Sequence, residues 1–248
     1  MCTVTARLRA TGCVFAEDEA RLLVAAARTP GELETSVGRR VAGEPLEHVL
    51  GWAEFCGLRI AVEPGVFVPR RRTEFLVHEA ARLAQPGAVI VDLCCGTGAL
   101  GAALAVSADR AEVHATDIDP VAVRCARRNV PGAVYHGDLF EPLPSTLRGR
   151  IDVLLANVPY VPTRELELLP AEARLHEDRV ALDGGPDGLY VLRRVAADAP
   201  RWLAPGGHLL VETTAAQAPQ ALAAFTPLAA RIAHSDDYDA TVVIGTND

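Results

Sequence analysis

The stretch Ala88-Val89-Ile90-Val91-Asp92-Leu93-Cys94-Cys95-Gly96-Thr97-Gly98-Ala99-Leu100-Gly101 decides the fold. Its first six residues predict a strand buried on both faces, its glycines a turn, and the residues from Ala99 onward an Ala-rich helix. The same alternation repeats downstream. Residues 112–116 predict a second strand closing on Asp117-Ile118-Asp119-Pro120. There Asp119 suits a helix cap and Pro120 the first helical position, and the helix should run to about Val130. Residues 133–136 predict a third strand ending at Gly137-Asp138, and 151–156 a fourth ending at Asn157. A helix over 187–203 shortened by Pro200, a strand over 208–212, a helix over 216–225 and strands over 229–234 and 238–245 complete the pattern. Strands alternating with helices mean a doubly wound, mainly parallel α/β sheet, and the closing pair of strands makes one of them antiparallel.

Upstream, residues 14–28 read as an amphipathic helix, while Gly31, Gly38 and Gly43 should interrupt any long regular element. Residues 54–68 predict a hairpin ending at Pro69, and Thr73 a cap for a helix from Glu74 to about Ala84. The chain thus divides into a small helical appendage (1–45), a connecting hairpin (46–72) and the main domain (73–248).

Half of the 248 residues are hydrophobic, enough for one α/β core and an accessory element. No apolar run reaches the eighteen residues of a membrane span, and the N-terminus has no secretory block. The six cysteines show no scaffold rhythm and no CxxC pair, so neither disulfides nor a metal site are expected, and the implied address is cytoplasmic. A net charge of −8 disfavours duplex nucleic acid as partner. Arg127-Arg128 read as solvated helix surface; Arg70-Arg71-Arg72 stay open.

Gly96-Thr97-Gly98-Ala99-Leu100-Gly101 fits the dinucleotide pattern G-x-G-x-x-G, which keeps an NAD-dependent oxidoreductase as an alternative. Asp92 at the strand end, however, would repel a pyrophosphate and suits a cofactor with a cationic amino acid end. S-adenosylmethionine has one. In that reading Asp92 supports the methionine moiety, the turn brings backbone close to it, Asp117 accepts the ribose hydroxyls, and Asp138 and Leu139 meet the adenine. Asn157-Val158-Pro159-Tyr160 lies at the same sheet edge. An amide nitrogen is a poor nucleophile because its lone pair is delocalised. Asn157 Oδ1 and the Val158 carbonyl can accept both its N–H bonds, Pro159 holds the bend, and Tyr160 offers a flat face to a planar acceptor. Ordinary strand-to-loop turns are the plain alternative for each residue taken alone.

These segments, with Gly43-Glu44-Pro45-Leu46, Phe67-Val68-Pro69-Arg70, Asp138-Leu139-Phe140 and Ala181-Leu182-Asp183-Gly184-Gly185-Pro186-Asp187-Gly188-Leu189, resemble the HemK-like protein-(glutamine-N(5)) methyltransferases, the release factor glutamine methyltransferase group. The resemblance runs from about Gly43 to the C-terminus. It implies a seven-stranded class I methyltransferase sheet behind a small helical N-terminal domain. It also implies cofactor contacts from Cys94, Cys95, Gly96, Thr97, Gly98, Asp117, Leu139 and Asn157, a glutamine amide held by Asn157 to Tyr160, and Phe67 and Arg70 near the acceptor entrance. The chain departs from the family in Val158, which replaces the first proline of Asn-Pro-Pro-Tyr, in Cys94-Cys95, and in a segment before Gly43 shorter than the family's helical domain. The implied partner is a protein with an exposed glutamine. A small-molecule acceptor or a nucleobase amino group stays open, since both also present planar, weakly nucleophilic nitrogens.

Overall fold

The helices α1 (Cys2–Ala10), α2 (Ala16–Ala26), α3 (Pro30–Val41) and α4 (Leu46–Leu50) fold around a core of their own, built on Leu8, Ala20, Leu23 and Val37. These elements belong to a computed structural model that describes residues 2–248. Gly31 and Gly38 do not break the chain as the sequence reading expects: α3 runs through both. Each glycine costs a helix about 1 kcal/mol. Offsetting that, the Thr29 side chain accepts from Glu32 N–H at 3.1 Å, Pro30 sits in the first turn, and Arg39 and Arg40 lie in the last, where the helix dipole favours cations. The helical packing continues through α4 to Leu50, beyond the expected limit at 45.

Strands β1 (Trp52–Phe55) and β2 (Leu58–Ala61) form an antiparallel hairpin, registered Trp52 to Ala61. Pairing stops at Ala61, short of the expected 68. One further bond, Val62 N–H to Gly51 O at 3.0 Å, closes the ladder, and Pro64 has no N–H to extend it; the Asn129 side chain binds both outward-facing Ala61 backbone groups, at 2.8 and 2.9 Å. Residues 62–70 instead run irregularly along the molecule's main cleft. A 3-10 turn over Arg71–Thr73 leads into α5 (Glu74–Leu83). Thr73 does not cap this helix; its side chain turns away to Asn157.

The main sheet follows: β3 (Val89–Leu93), α6 (Ala99–Ser107), β4 (Glu112–Asp117), α7 (Pro120–Ala126), β5 (Ala133–His136), β6 (Ile151–Ala156), α8 (Ala171–His176), α9 (Tyr190–Asp198), β7 (Leu203–Thr213), α10 (Ala218–Ala224), β8 (Ala229–Ser235) and β9 (Ala240–Thr246). Asp119 caps α7 by accepting from Val121 and Ala122 N–H, and Pro200 ends α9 in a 3-10 turn, both as expected. The seven strands order β5-β4-β3-β6-β7-β9-β8, parallel except for β9. One core lies under α5, α6 and α7, the other under α9 and α10. From β3 the chain winds outward to β5, then crosses back to β6 and winds the other way. The carboxyl ends of β3 and β6 therefore flank a crevice, the place where such sheets bind ligands. No helix among the described residues is long and apolar enough to cross a membrane.

Candidate active site

That crevice opens into a cleft of about 1310 Å³. At the β3 end the turn folds on itself, with Cys95 N–H donating to Thr116 O at 3.0 Å and Gly98 N–H to Cys95 O at 2.7 Å. Asp117 anchors it, one oxygen accepting from Gly96 N–H at 2.8 Å and the other from Asp119 N–H at 2.9 Å. Each carboxylate oxygen can accept a second bond. Burial raises the Asp117 pKa above the usual carboxylate value, opposed by those two N–H groups. Burial likewise pushes the Cys94 and Cys95 thiols well up, so neither is a ready thiolate.

Two glycines of this turn act differently. A Cβ on Gly96 would meet nothing within 4 Å, whereas one on Gly98 would stand 2.5 Å from Val130 Cγ2. Gly96 faces open cleft; Gly98 packs against α7 and does not line the cleft. Asp92 lies beneath the turn, 1% exposed, and is not on the cleft wall. Its Oδ2 accepts from Gly101 N–H at 3.0 Å, and its Oδ1 is buried without a partner. Burial, opposed by the Gly101 N–H and reinforced by the Asp117 charge, raises its pKa to about 7.

Asp138 and Leu139 line the far side of the same end. Arg194 pairs with Asp138 Oδ2 at 2.6 Å, and Thr116 donates to Leu139 O, fixing the loop. Ile118, half exposed and unmarked in the sequence reading, also lines this end.

At the β6 end, Asn157, Val158, Pro159 and Tyr160 all line the cleft. Val158 is buried in the core beneath α9, so an apolar residue that keeps its carbonyl stands here in place of the family's first proline. Residues 182–188 brace the loop from behind: Val161 N–H donates to Leu182 O and Gly184 N–H to Val161 O. A Cβ on Gly184 would fall 2.6 Å from Pro159 O, and one on Gly188 would fall 2.2 Å from Tyr160 O. Only glycine permits this approach. Gln217 completes the brace, Nε2 donating to Tyr160 O at 2.9 Å.

Phe67 and Arg70 line the outer part of the cleft, with the guanidinium 4.9 Å from the ring centroid. Two buried glutamates hold two arginines there. Glu177 pairs with Arg70 and accepts from Val68 N–H at 3.1 Å. Glu212, at the end of β7, accepts from Arg72 Nε at 3.3 Å, and Arg72 also donates to the Tyr160 hydroxyl. Burial raises both carboxyl pKa values, opposed for Glu177 chiefly by Arg70 and for Glu212 by the Thr73 hydroxyl and then Arg72. The sequence reading missed Glu177, Thr73 as a site residue, and Glu212. For Glu212 the signal was there: an acid closing a buried strand, as Asp92 and Asp117 do.

The chain is similar to known methyltransferases. The model of the methyltransferase small domain family matches residues 57–186. The release factor glutamine methyltransferase of Geobacter sulfurreducens is 43% identical over 77% of this chain and 68% of its own length, and that of Streptomyces coelicolor 41% over 77% and 70%. The 4-amino-L-phenylalanine/4-methylamino-L-phenylalanine methyltransferase of Streptomyces pristinaespiralis is 35% identical over 79% of this chain and 75% of its own. A crystal structure of a methyltransferase from Pyrococcus furiosus shares the fold, with a TM-score of 0.60 at 16% identity over 86% of this chain and 98% of that one. The glycine turn beside Asp117, the Asn-to-Tyr loop with its glycine brace, and these levels of identity place the chain in the release factor glutamine methyltransferase family.

Proposed function

We propose that this chain transfers a methyl group from S-adenosylmethionine to the side-chain amide nitrogen of a glutamine in a protein partner. The observation that carries the reading is one continuous cleft joining the anchored glycine turn to the Asn157–Tyr160 loop. The residues present fit the cofactor: Asp117 keeps acceptor capacity for two ribose hydroxyls, Gly96 leaves room for a close ligand, and Ile118 and Leu139 offer apolar faces to a flat base. Cys94, Cys95 and Thr97 complete the wall, and Asp138 lies at its adenine end, while Asp92 acts from beneath. When bound, S-adenosylmethionine supplies an electrophilic methyl on a sulfonium.

The chain's own residues prepare the acceptor. Asn157 Oδ1 and the Val158 carbonyl accept the two amide N–H bonds and orient the nitrogen lone pair toward the donor end. Pro159 withholds a competing N–H, and the Tyr160 ring supports the amide plane. Phe67 and Arg70 border the entrance. No base is needed before transfer, because the neutral nitrogen attacks and releases its proton afterwards.

The relative named for 4-amino-L-phenylalanine, 35% identical over 79% of this chain, supports one second reading, a free aromatic amine as acceptor. The deciding experiment offers labelled S-adenosylmethionine with a bacterial release factor, the same factor with its acceptor glutamine replaced, or 4-amino-L-phenylalanine. Glutamine-dependent labelling is expected, and Asn157→Ala should slow it about a hundredfold or more. Labelling of the amine alone would overturn the protein-acceptor reading.

A further inference from the structure

Asn157 can serve as an acceptor clamp only if its oxygen, not its NH2, faces the incoming amide. An Asn side chain has no intrinsic preference between the two orientations; its neighbours decide. Here Asn157 Nδ2 donates to Thr73 Oγ1 at 3.4 Å. Thr73 is 1% exposed, so its own hydroxyl proton must find an acceptor inside the protein. The acceptor at hand is Glu212, whose carboxylate is 3% exposed and whose Oε2 is buried with no hydrogen-bond partner; the Thr73 and Tyr160 hydroxyls both favour its ionised form.

We infer that Glu212 and Thr73 are positioning residues: the buried carboxylate directs the Thr73 proton, which makes Thr73 Oγ1 an acceptor, which fixes Asn157 with Oδ1 toward the methyl acceptor. The same carboxylate holds Arg72, and Arg72 holds the Tyr160 hydroxyl, so one buried acid sets both ends of the Asn157–Tyr160 loop. Neither residue touches substrate. The three groups come from separate places, the 3-10 turn before α5, the residue after β6 and the end of β7, and the sheet's winding brings them together. This inference rests on the proposed role of Asn157.

The test uses the whole chain and two readouts. In a 15N spectrum the Asn157 side-chain NH2 pair, assigned by its absence in Asn157→Ala, should exchange slowly with water in the wild type and in Thr73→Ser. In Thr73→Val, which removes the hydroxyl at nearly constant shape, it should exchange at least about tenfold faster. Single-turnover methyl transfer to a release factor should fall about ten- to fiftyfold in Thr73→Val, with S-adenosylmethionine affinity unchanged, and recover in Thr73→Ser. Thr73→Val added to Asn157→Ala should cost nothing further, whereas a merely structural defect would add. Thr73→Ala serves if the valine variant does not fold. Unchanged exchange and rate in Thr73→Val, or additive losses in the double variant, would overturn the inference while leaving the role of Asn157 standing. A wild-type rate in Asn157→Ala would remove that role and the inference with it.

Discussion

Asp92 has one oxygen bound to Gly101 and one bound to nothing, and its proton is therefore held tightly. With its folded pKa at about 7 and an unfolded value of about 3.9, the folded chain keeps a proton between those limits that the unfolded chain has lost. The contribution of Asp92 to stability is fully present below the unfolded value and falls as pH rises toward 7, by up to ~1.4 kcal/mol per pH unit. Asp92→Asn should flatten this part of the profile in the cofactor-free protein. Urea unfolding at pH 5 and pH 8 reads it; an identical slope in both proteins would mean Asp92 does not titrate there. At this scale the sequence was informative wherever a polar residue stood at the carboxyl end of a strand, which marked Asp92, Asp117, Asp138 and Asn157. It could not show that Asp92 sits behind the turn, because which side of a turn a carboxylate takes is set by the helix packed on it. Thr73 was misread because it precedes a helix, as caps do, while its true partners come from β6 and β7.

The Asn157–Tyr160 loop is shaped from outside by the 182–188 segment. Gly188→Ala would push a methyl to 2.2 Å from Tyr160 O at a backbone φ of +78°, so the loop must move. A shift near 1 Å in a reacting group can cost on the order of a hundredfold in rate. Methyl transfer should fall that far, while S-adenosylmethionine affinity, measured by calorimetry, should stay within about twofold, since the turn at Cys94–Gly98 lies on another strand. Equal losses of affinity and rate would show that the two ends of the cleft move as one. Strands and long helices were legible through their apolar runs. The 3-10 turn over Thr163–Leu168 and the short α8 were not, because they are too short and too polar to carry a period. The brace was visible as a glycine-rich tract, but its purpose lay in carbonyls more than twenty residues away, which local pattern does not encode.

Across the molecule, Arg40 ties the helical unit together and to the acceptor side of the cleft. It pairs with Glu19 at 2.7 Å and with Glu172 of α8 at 3.5 Å, with its own side chain and that of Glu19 both largely buried. Arg40→Met would leave Glu19 alone in that setting and should cost about 3 kcal/mol. Hydrogen exchange should show α1 to α3 losing protection while β3 and β4 keep theirs; equal loss in both would mean the helical unit and the sheet unfold together. The doubly wound sheet itself was readable because strand and helix alternate, whereas the meeting of α8 with α3 depends on tertiary packing. The reversal of strand order between β3 and β6 carries a consequence for descent. On the proposed reading, what grips the donor sits on one limb of the sheet, in residues 94–139, and what grips the recipient on the other, in residues 157–188 with 62–73. On that reading a lineage can trade one recipient for another by drift on the second limb while its source of methyl groups passes down untouched.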